Sequence, residues 1–239
     1  ITNKQNTDHT IYTTGINRWY TETRNNLFCL LSYVESPQSY QPHFVKLGSK
    51  IEVNIFNKYV THIPIRNYIG LSEDYSNSLY YRTAGGGYWV TFLNAEFDCV
   101  SVSNKHTVIR DDIVAKALSA ALNSNLFWWY YSINFDLFNF KDYMIFGFQF
   151  TYTDKTTLSN IIKLSDQMEI SLRENAVYYS INSATNGLNE TVTYQKFKSK
   201  DIMDTIDKEI KKIYNFTDEE LDFIINYDIK YRMGDELNE

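Results

Sequence analysis

The chain has 239 residues and a formal net charge of −6, with 44% hydrophobic and 16% aromatic residues. This composition excludes a disordered protein, because enough apolar surface is present to build a core. The two cysteines, Cys29 and Cys99, exclude a disulfide framework and favour reduced thiols in a cytoplasmic protein. No apolar run is long enough to span a bilayer and no signal peptide opens the chain, so we expect no membrane partner.

The negative charge is concentrated at the C-terminus. Residues 201–239 contain 12 acidic and 5 basic side chains, a charge of −7. Residues 1–200 contain 17 acidic and 18 basic side chains, a charge of +1. The total therefore does not exclude a nucleic-acid partner, since a neutral body has room for a local basic face. The near-neutral charge of residues 1–200 is not positive evidence for a basic face either.

Several segments have the composition of strands. TIYTT (10–14) and LFCLLSYV (27–34) are typical of strands or buried runs, and ESPQSYQPH (35–43) is typical of a loop. THIPIRNYI (61–69) predicts an extended connector, or an edge strand because it contains Pro64. Further strand-like runs follow in SLYYRTAGGGYWVTFL (78–93), where the glycines join two β-segments, and in CVSVS (99–103) and HTVIR (106–110).

Five segments predict helices. In residues 48–60, Ser49 and Glu52 fit a capping box, and Thr217 and Glu220 fit another at the start of residues 217–227. Residues 182–193, NSATNGLNETVT, are polar and predict a loop. The remaining helical patterns are 111–123, which SNLFWWYYSI (124–133) continues or restarts, 154–176 and 199–213.

Catalytic signatures are missing from the sequence. The glycines at 85–87 are contiguous and precede a strand-like run, unlike the spaced glycines of a nucleotide-binding loop. The histidines have no metal-ligand spacing: His9, His43, His62 and His106. We therefore expect that the chain by itself is not an enzyme and binds neither a metal nor a cofactor.

Four stretches together resemble a known family. They are IYTTGINRWYTETRNNLF (11–28), LYYRTAGGGYW (79–89), ALNSNLFWWYY (121–131) and KSKDIMDTIDKEIKKIYNFTDEELDFIINYDIKYRMG (198–234). The chain resembles, over almost its whole length, the target-recognition part of Eco57I-like restriction–modification proteins, the type IIG and type I-like N6-adenine DNA methyltransferases. In that family the recognition domain follows a methyltransferase domain.

The resemblance implies a division of labour. A catalytic domain in cis would hold S-adenosylmethionine, and this chain, which begins at Ile1, would select the DNA site. The Asn-Pro-Pro-Tyr type of motif that holds a flipped adenine cannot occur here, because Pro37, Pro42 and Pro64 are the only prolines. Whether the parent protein also cleaves DNA stays open, as does the sequence of the recognised site.

The expected architecture is α+β, with a twisted mixed or antiparallel sheet flanked by helices. We expect a DNA target-recognition domain at 1–195, with 1–72 as a candidate connector from the catalytic domain. An acidic helical subdomain follows at 196–239, and its acidic faces should lie away from DNA. The partner would be double-stranded DNA, held at one register for base flipping. The candidate DNA-binding residues are Arg82, Thr83, Gly85, Gly86, Gly87, Lys105 and Arg110.

Each of these interpretations has an alternative. Gly85–Gly87 either face a phosphate or form a hairpin turn or bulge, and the family often has a basic residue where this chain has Gly87. The aromatic run 127–131 either stacks on DNA or packs the helix onto the sheet. For the whole chain, a scaffold domain that docks on a methyltransferase and an aromatic-rich carbohydrate-binding module remain open.

Overall fold

The computed structural model describes residues 10–17, 21–37, 44–70, 77–84, 89–137, 140–152, 155–183 and 187–233. These residues form eight α-helices and seven strands, and every strand pair is antiparallel. The predicted α+β class is confirmed. The strands form three small sheets in place of one larger sheet, because most of them are short and helices occupy the centre of the core.

The helices lie mainly in the second half of the chain. None of those in the described ranges is both long and apolar enough to cross a bilayer. Their bounds are α1 (Lys50–Tyr59), α2 (Asp112–Leu122), α3 (Asn125–Asn134), α4 (Asp142–Phe146), α5 (Lys155–Glu174), α6 (Lys200–Tyr214), α7 (Asp218–Asn226) and α8 (Ile229–Met233). Short 3₁₀ helices lie at Thr21–Leu30, Ile65–Tyr68 and Lys196–Ser199.

The strands pair in the orders β1-β2, β4-β3-β5 and β6-β7. Their bounds are β1 (Tyr12–Thr13), β2 (Val34–Glu35), β3 (Ser78–Arg82), β4 (Phe92–Leu93), β5 (Asn104–Val108), β6 (Ala176–Ser183) and β7 (Gly187–Tyr194). In the three-stranded sheet, Tyr81 lies opposite Phe92 on one side and opposite Lys105 on the other. The two β-segments predicted around the glycines are therefore confirmed as β3 and β4.

Local side-chain caps explain where four of the helices, α1, α2, α3 and α7, begin. The hydroxyl of Ser49 accepts a hydrogen bond from the main-chain N–H of Glu52 at 3.3 Å. Thr217 and Glu220 form the predicted capping box, with reciprocal hydrogen bonds of 3.1 and 2.7 Å. Ser124 caps α3 in the same way, so a new helix begins directly after α2 ends. Each cap satisfies an N–H group that has no partner within its helix.

Helix α3 forms the centre of the core. Every residue from Asn125 to Ile133 is buried, and Trp129 is fully inaccessible to solvent. The ring of Phe127 packs edge-on against Phe92 and Phe148, with centroid distances of 5.2 and 5.4 Å. The aromatic run therefore packs α3 into the protein, and the alternative of stacking on DNA is wrong.

The C-terminal helices share this core. Helix α6 packs against α5, α2 and α3, and its buried face includes Ile206, Ile210 and Ile213. The packing role predicted for the tail helices is confirmed. The hydrophobic core is continuous across residue 196. The domain boundary that we expect there from the sequence stays a prediction.

Four local predictions are wrong. Part of LFCLLSYV lies in the 3₁₀ helix Thr21–Leu30 and exposes Phe28 and Leu30. CVSVS forms a turn before β5, and residues 65–68 form a 3₁₀ helix between two single β-bridges. The polar segment predicted as a loop contributes strand β7. The β6–β7 pair is held by main-chain hydrogen bonds, which polar residues make as well as apolar ones.

Candidate nucleic-acid interface

A groove of about 860 Å³ lies where the end of β3, strand β5, the 3₁₀ helix Ile65–Tyr68 and helix α4 meet. Among the described residues that line it, three are cationic and one is a carboxylate: Arg66, Lys105, Lys141 and Asp142. These side chains give the groove a local charge of +2. We call this concavity the basic groove. A concave surface with this excess of cations is suited to bind a polyanion.

Three separate elements bring the cations together. The main-chain N–H of Ile65 donates to the carbonyl of Phe148 at 2.8 Å and fixes the 3₁₀ helix that exposes Arg66. Lys105 is placed by its register opposite Tyr81. Lys141 is the N-cap residue of α4, which is anchored by buried apolar side chains on its inner face. A rigid scaffold therefore presents all three cations at one surface.

The carboxylate of Asp142 is held between two donors. Its Oδ1 accepts a hydrogen bond from the Tyr81 hydroxyl at 3.0 Å, and Lys105 Nζ lies 3.1 Å from each carboxylate oxygen. Burial, with a smaller contribution from Asp142, raises the pKa of Tyr81 to about 12. Tyr81 is therefore a neutral donor at physiological pH. The ion pair with Lys105 is exposed at both ends and so contributes little to stability.

The floor of the groove is closely packed. A Cβ atom built on Gly147, which ends α4, would lie 2.7 Å from the hydroxyl of the buried Tyr130. Only glycine brings the end of α4 this close to α3 without displacing the ring. Tyr143, one turn earlier, exposes its ring at the groove. The groove thus combines cations with an accessible aromatic surface.

Two of the residues predicted from the sequence line the basic groove. Thr83 follows β3, where its N–H donates to Ser103 and its carbonyl accepts from the N–H of Phe140. Lys105 enters the groove from β5. Gly85, Gly86 and Gly87 lie outside the described residues, so their DNA contacts stay a prediction.

Arg82 has structural partners. Its Nε donates to Asn104 Oδ1 at 2.8 Å, and its Nη1 donates to the carbonyl of Val192 at 2.6 Å. The guanidinium also lies 4.6 Å from the ring centroid of Phe97. These contacts fasten the β6–β7 hairpin to the central sheet, and Arg82 faces a second, smaller cleft of about 230 Å³. A DNA contact by Arg82 stays a prediction.

Arg110 lies beyond the other end of β5 from Lys105. Its side chain is exposed, and its main-chain N–H donates to the carbonyl of Tyr68 at 3.0 Å. An extended chain rises about 3.3 Å per residue, so the Cα atoms of Lys105 and Arg110 are separated by roughly 17 Å. The structure does not bring Arg110 into the basic groove.

Sequence reasoning missed Arg66 and Lys141. Each is a single basic residue beside an apolar segment, within PIRNY and FKDY, and neither belongs to a recognisable motif. Among the described residues, neither forms an ion pair, so both cations are available to a ligand. The signal in the sequence was a single basic residue beside an apolar segment.

Within the described ranges, no group of three or more acidic, histidine or cysteine side chains is placed to hold a metal ion. Cys29 is exposed and Cys99 is buried, and both are free thiols.

Comparisons with protein-family models, with curated proteins and with solved structures returned no match.

Proposed function

We propose that this chain binds double-stranded DNA and selects its sequence for an adenine-N6 methyltransferase. The observation that carries the proposal is the convergence of Arg66, Lys105 and Lys141 on one groove from three distant parts of the chain. Cations in a concave surface contact phosphates and fix the register of a duplex. The acidic tail helices do not line this groove.

The link to methylation is supported by the sequence resemblance. In this proposal a catalytic domain in cis holds S-adenosylmethionine and extrudes the adenine, and the present chain holds the duplex. The protein would act in the bacterial cytoplasm as part of a restriction–modification system. Sequencing the genomic DNA upstream of the codon for Ile1 tests this link. The upstream DNA should encode, in the same reading frame, a glycine-spaced cofactor loop and an Asn-Pro-Pro-Tyr type of motif. Their absence from that reading frame would contradict the link.

Salt dependence of duplex binding tests the DNA interface directly. Each phosphate contact releases counterions, so the logarithm of affinity should fall linearly with the logarithm of salt concentration. Substituting Arg66, Lys105 or Lys141 by Ala should weaken binding to all sequences and reduce the slope by about 1 each.

Lys116→Ala is the matched control. Lys116 pairs with Asp166 at 2.9 Å, much as Lys105 pairs with Asp142, but it lies on α2 outside the basic groove. Its substitution should leave the slope unchanged. Equal slopes for the wild type and all three groove variants would contradict the proposed interface.

A second function is favoured by a different surface. The N-terminal region exposes several large apolar side chains, among them Tyr12, Phe28, Leu30 and Phe44, each more than half accessible. Such exposure is typical of a surface that docks on another protein. A scaffold domain of a methyltransferase complex would use this surface without contacting DNA. In that case the isolated chain would show no salt-dependent affinity for duplex DNA.

A further inference from the structure

The basic groove contains one group that opposes phosphate binding. Asp142 is the only carboxylate among its described lining residues, and its side chain is 43% exposed. A negative charge there repels the DNA backbone and lowers the affinity that the three cations provide. Its exposed ion pair with Lys105 adds little stability in return. The carboxylate accepts a hydrogen bond from Tyr81 and lies in the first turn of α4, so it has a structural role, but neither interaction uses its exposed acceptor sites.

The geometry leaves the carboxylate available as a hydrogen-bond acceptor. Two oxygens offer about four acceptor sites. The Tyr81 hydroxyl occupies one of them, on Oδ1, and Lys105 Nζ lies 3.1 Å from both oxygens. Tyr81 is anchored in the core with 1% of its surface exposed, so it orients the carboxylate. Lys105 is 46% exposed at the end of a flexible stem and can exchange the carboxylate for a phosphate.

We propose that Asp142 determines sequence specificity by accepting a hydrogen bond from an exocyclic amino group of a base in the major groove. This inference rests on the proposed function. Cytosine N4 and adenine N6 are the amino groups that the major groove presents, and an Asp side chain accepts from such a donor. When Lys105 moves to a phosphate, the released carboxylate lies beside the backbone contact and faces the duplex. Tyr81 is the positioning residue for this acceptor.

The carboxylate also discriminates by repulsion. Guanine and thymine present acceptor oxygens in the major groove at the corresponding positions, and these would face the carboxylate without a proton between them. A buried pair of acceptors is unfavourable, so the wrong base is rejected as well as the right base accepted. Loss of Asp142 should therefore increase affinity for random duplex while reducing discrimination.

The experiment selects bound sites from a library of random duplexes with the full chain. The variants are the wild type, Asp142→Ala, Asp142→Asn and the control Asp166→Ala, whose carboxylate pairs with Lys116 away from the groove. For Asp142→Ala, one base pair of the selected site should lose its preference while the other positions keep theirs. The ratio of specific to random affinity should fall by about 5- to 100-fold, the value of one good base contact.

The Asn variant separates the two bases. An Asn amide suits the N6 and N7 edge of adenine, so Asp142→Asn should retain a preference for adenine but lose one for cytosine. Asp166→Ala should select the same site as the wild type with the same ratio. Asp142→Ala leaves the Tyr81 hydroxyl without this acceptor and should lower the melting temperature. Asp142→Asn keeps an acceptor oxygen and Asp166→Ala removes only an exposed ion pair, so both should unfold like the wild type. A loss of specificity in Asp142→Asn at unchanged stability then excludes misfolding as its cause.

Three results would overturn the inference. Asp142→Ala could select the wild-type site at an unchanged ratio, or it could weaken the preferences evenly at all positions of the site. A wild-type chain that binds duplex with a salt slope but selects no site would also overturn it, while the phosphate contacts of the groove would stand. If the wild type shows no salt-dependent duplex binding, the proposed function itself fails.

Discussion

The carboxylate of Asp207, on α6, accepts hydrogen bonds from both the main chain and the side chain of Asn125, at 2.9 and 2.8 Å. It also accepts from the main-chain N–H of Leu126 at 3.1 Å. These N–H groups belong to the first turn of α3 and have no partner within that helix. The favourable position of a negative charge at a helix N-terminus adds to the contact. One buried carboxylate thus joins the segment ALNSNLFWWYY to the C-terminal helices.

Removing this carboxylate should destabilise the fold. Asp207→Ala leaves buried donors on Asn125 and Leu126 without acceptors, so we expect a loss of about 3 kcal/mol in the free energy of unfolding. Urea denaturation measures it. Asp201, exposed on the same helix, is the matched control, and Asp201→Ala should cost less than about 0.5 kcal/mol. Similar losses for the two variants would contradict the role assigned to Asp207.

The stability should depend on pH through Asp207. Burial raises its pKa from 3.8 to about 6, against the opposing effect of its hydrogen bonds. The folded state therefore binds this proton more tightly than the unfolded state, and stability falls as pH rises from about 4 to 6. A change of about two pKa units corresponds to roughly 3 kcal/mol. Asp207→Asn removes the titration.

The measurement compares the free energies of unfolding of wild type and Asp207→Asn between pH 4 and pH 7. The advantage of the wild type should shrink as pH rises through this window. Glu52, whose pKa is also raised by burial, is present in both proteins, so its effect cancels. A constant difference across the window would show that Asp207 titrates at its ordinary pKa.

Arg82 and Arg110 should differ in their effects on stability. Arg82→Ala removes two hydrogen bonds that connect the hairpin and β5 to β3, and we expect a loss of about 2 kcal/mol. Arg82→Lys should not restore it, because one ammonium group cannot reproduce the planar fork of a guanidinium. Arg110→Ala, at an exposed position, should change stability by less than about 0.5 kcal/mol. Thermal unfolding of the three variants decides this, and recovery in Arg82→Lys would contradict the geometric argument.

Gly48 should not tolerate a side chain. A Cβ atom there would lie 2.5 Å from the main-chain nitrogen of Gly15 and 3.0 Å from its Cα. Because the obstacle is backbone, Gly48→Ala must displace the N-terminal segment, at a cost of about 1–3 kcal/mol. Gly15→Ala is the matched variant at the same backbone contact. Its Cβ would lie 3.6 Å from the main-chain nitrogen of Gly48, which is an ordinary van der Waals distance.

Urea denaturation and limited proteolysis of the N-terminal segment measure the difference. Gly48→Ala should be less stable and more rapidly cleaved before residue 48 than Gly15→Ala. Equal behaviour of the two variants would show that the contact relaxes without cost.

The sequence by itself determined where several of the helices begin. Caps such as those of Ser49 and Thr217 join residues only three positions apart, so their hydrogen bonds depend on local order alone. The buried face of α6 was predictable for the same reason, since its isoleucines recur at helical spacing. Strand β7 was not predictable, because Glu190 and Thr193 are exposed polar residues and the pairing with β6 rests on main-chain hydrogen bonds.

Only the tertiary structure decided the candidate site. Arg66, Lys105 and Lys141 are separated by about 35 to 40 residues in sequence, and no local rule connects them. Their convergence depends on the register of Lys105 opposite Tyr81 and on the packing of α4 against the core. The sequence supplied isolated charges, whereas burial of the surrounding apolar side chains placed those charges in one groove. Hydrogen bonds within one helical turn follow from order along the chain, but contacts across a core depend on how every element packs at once.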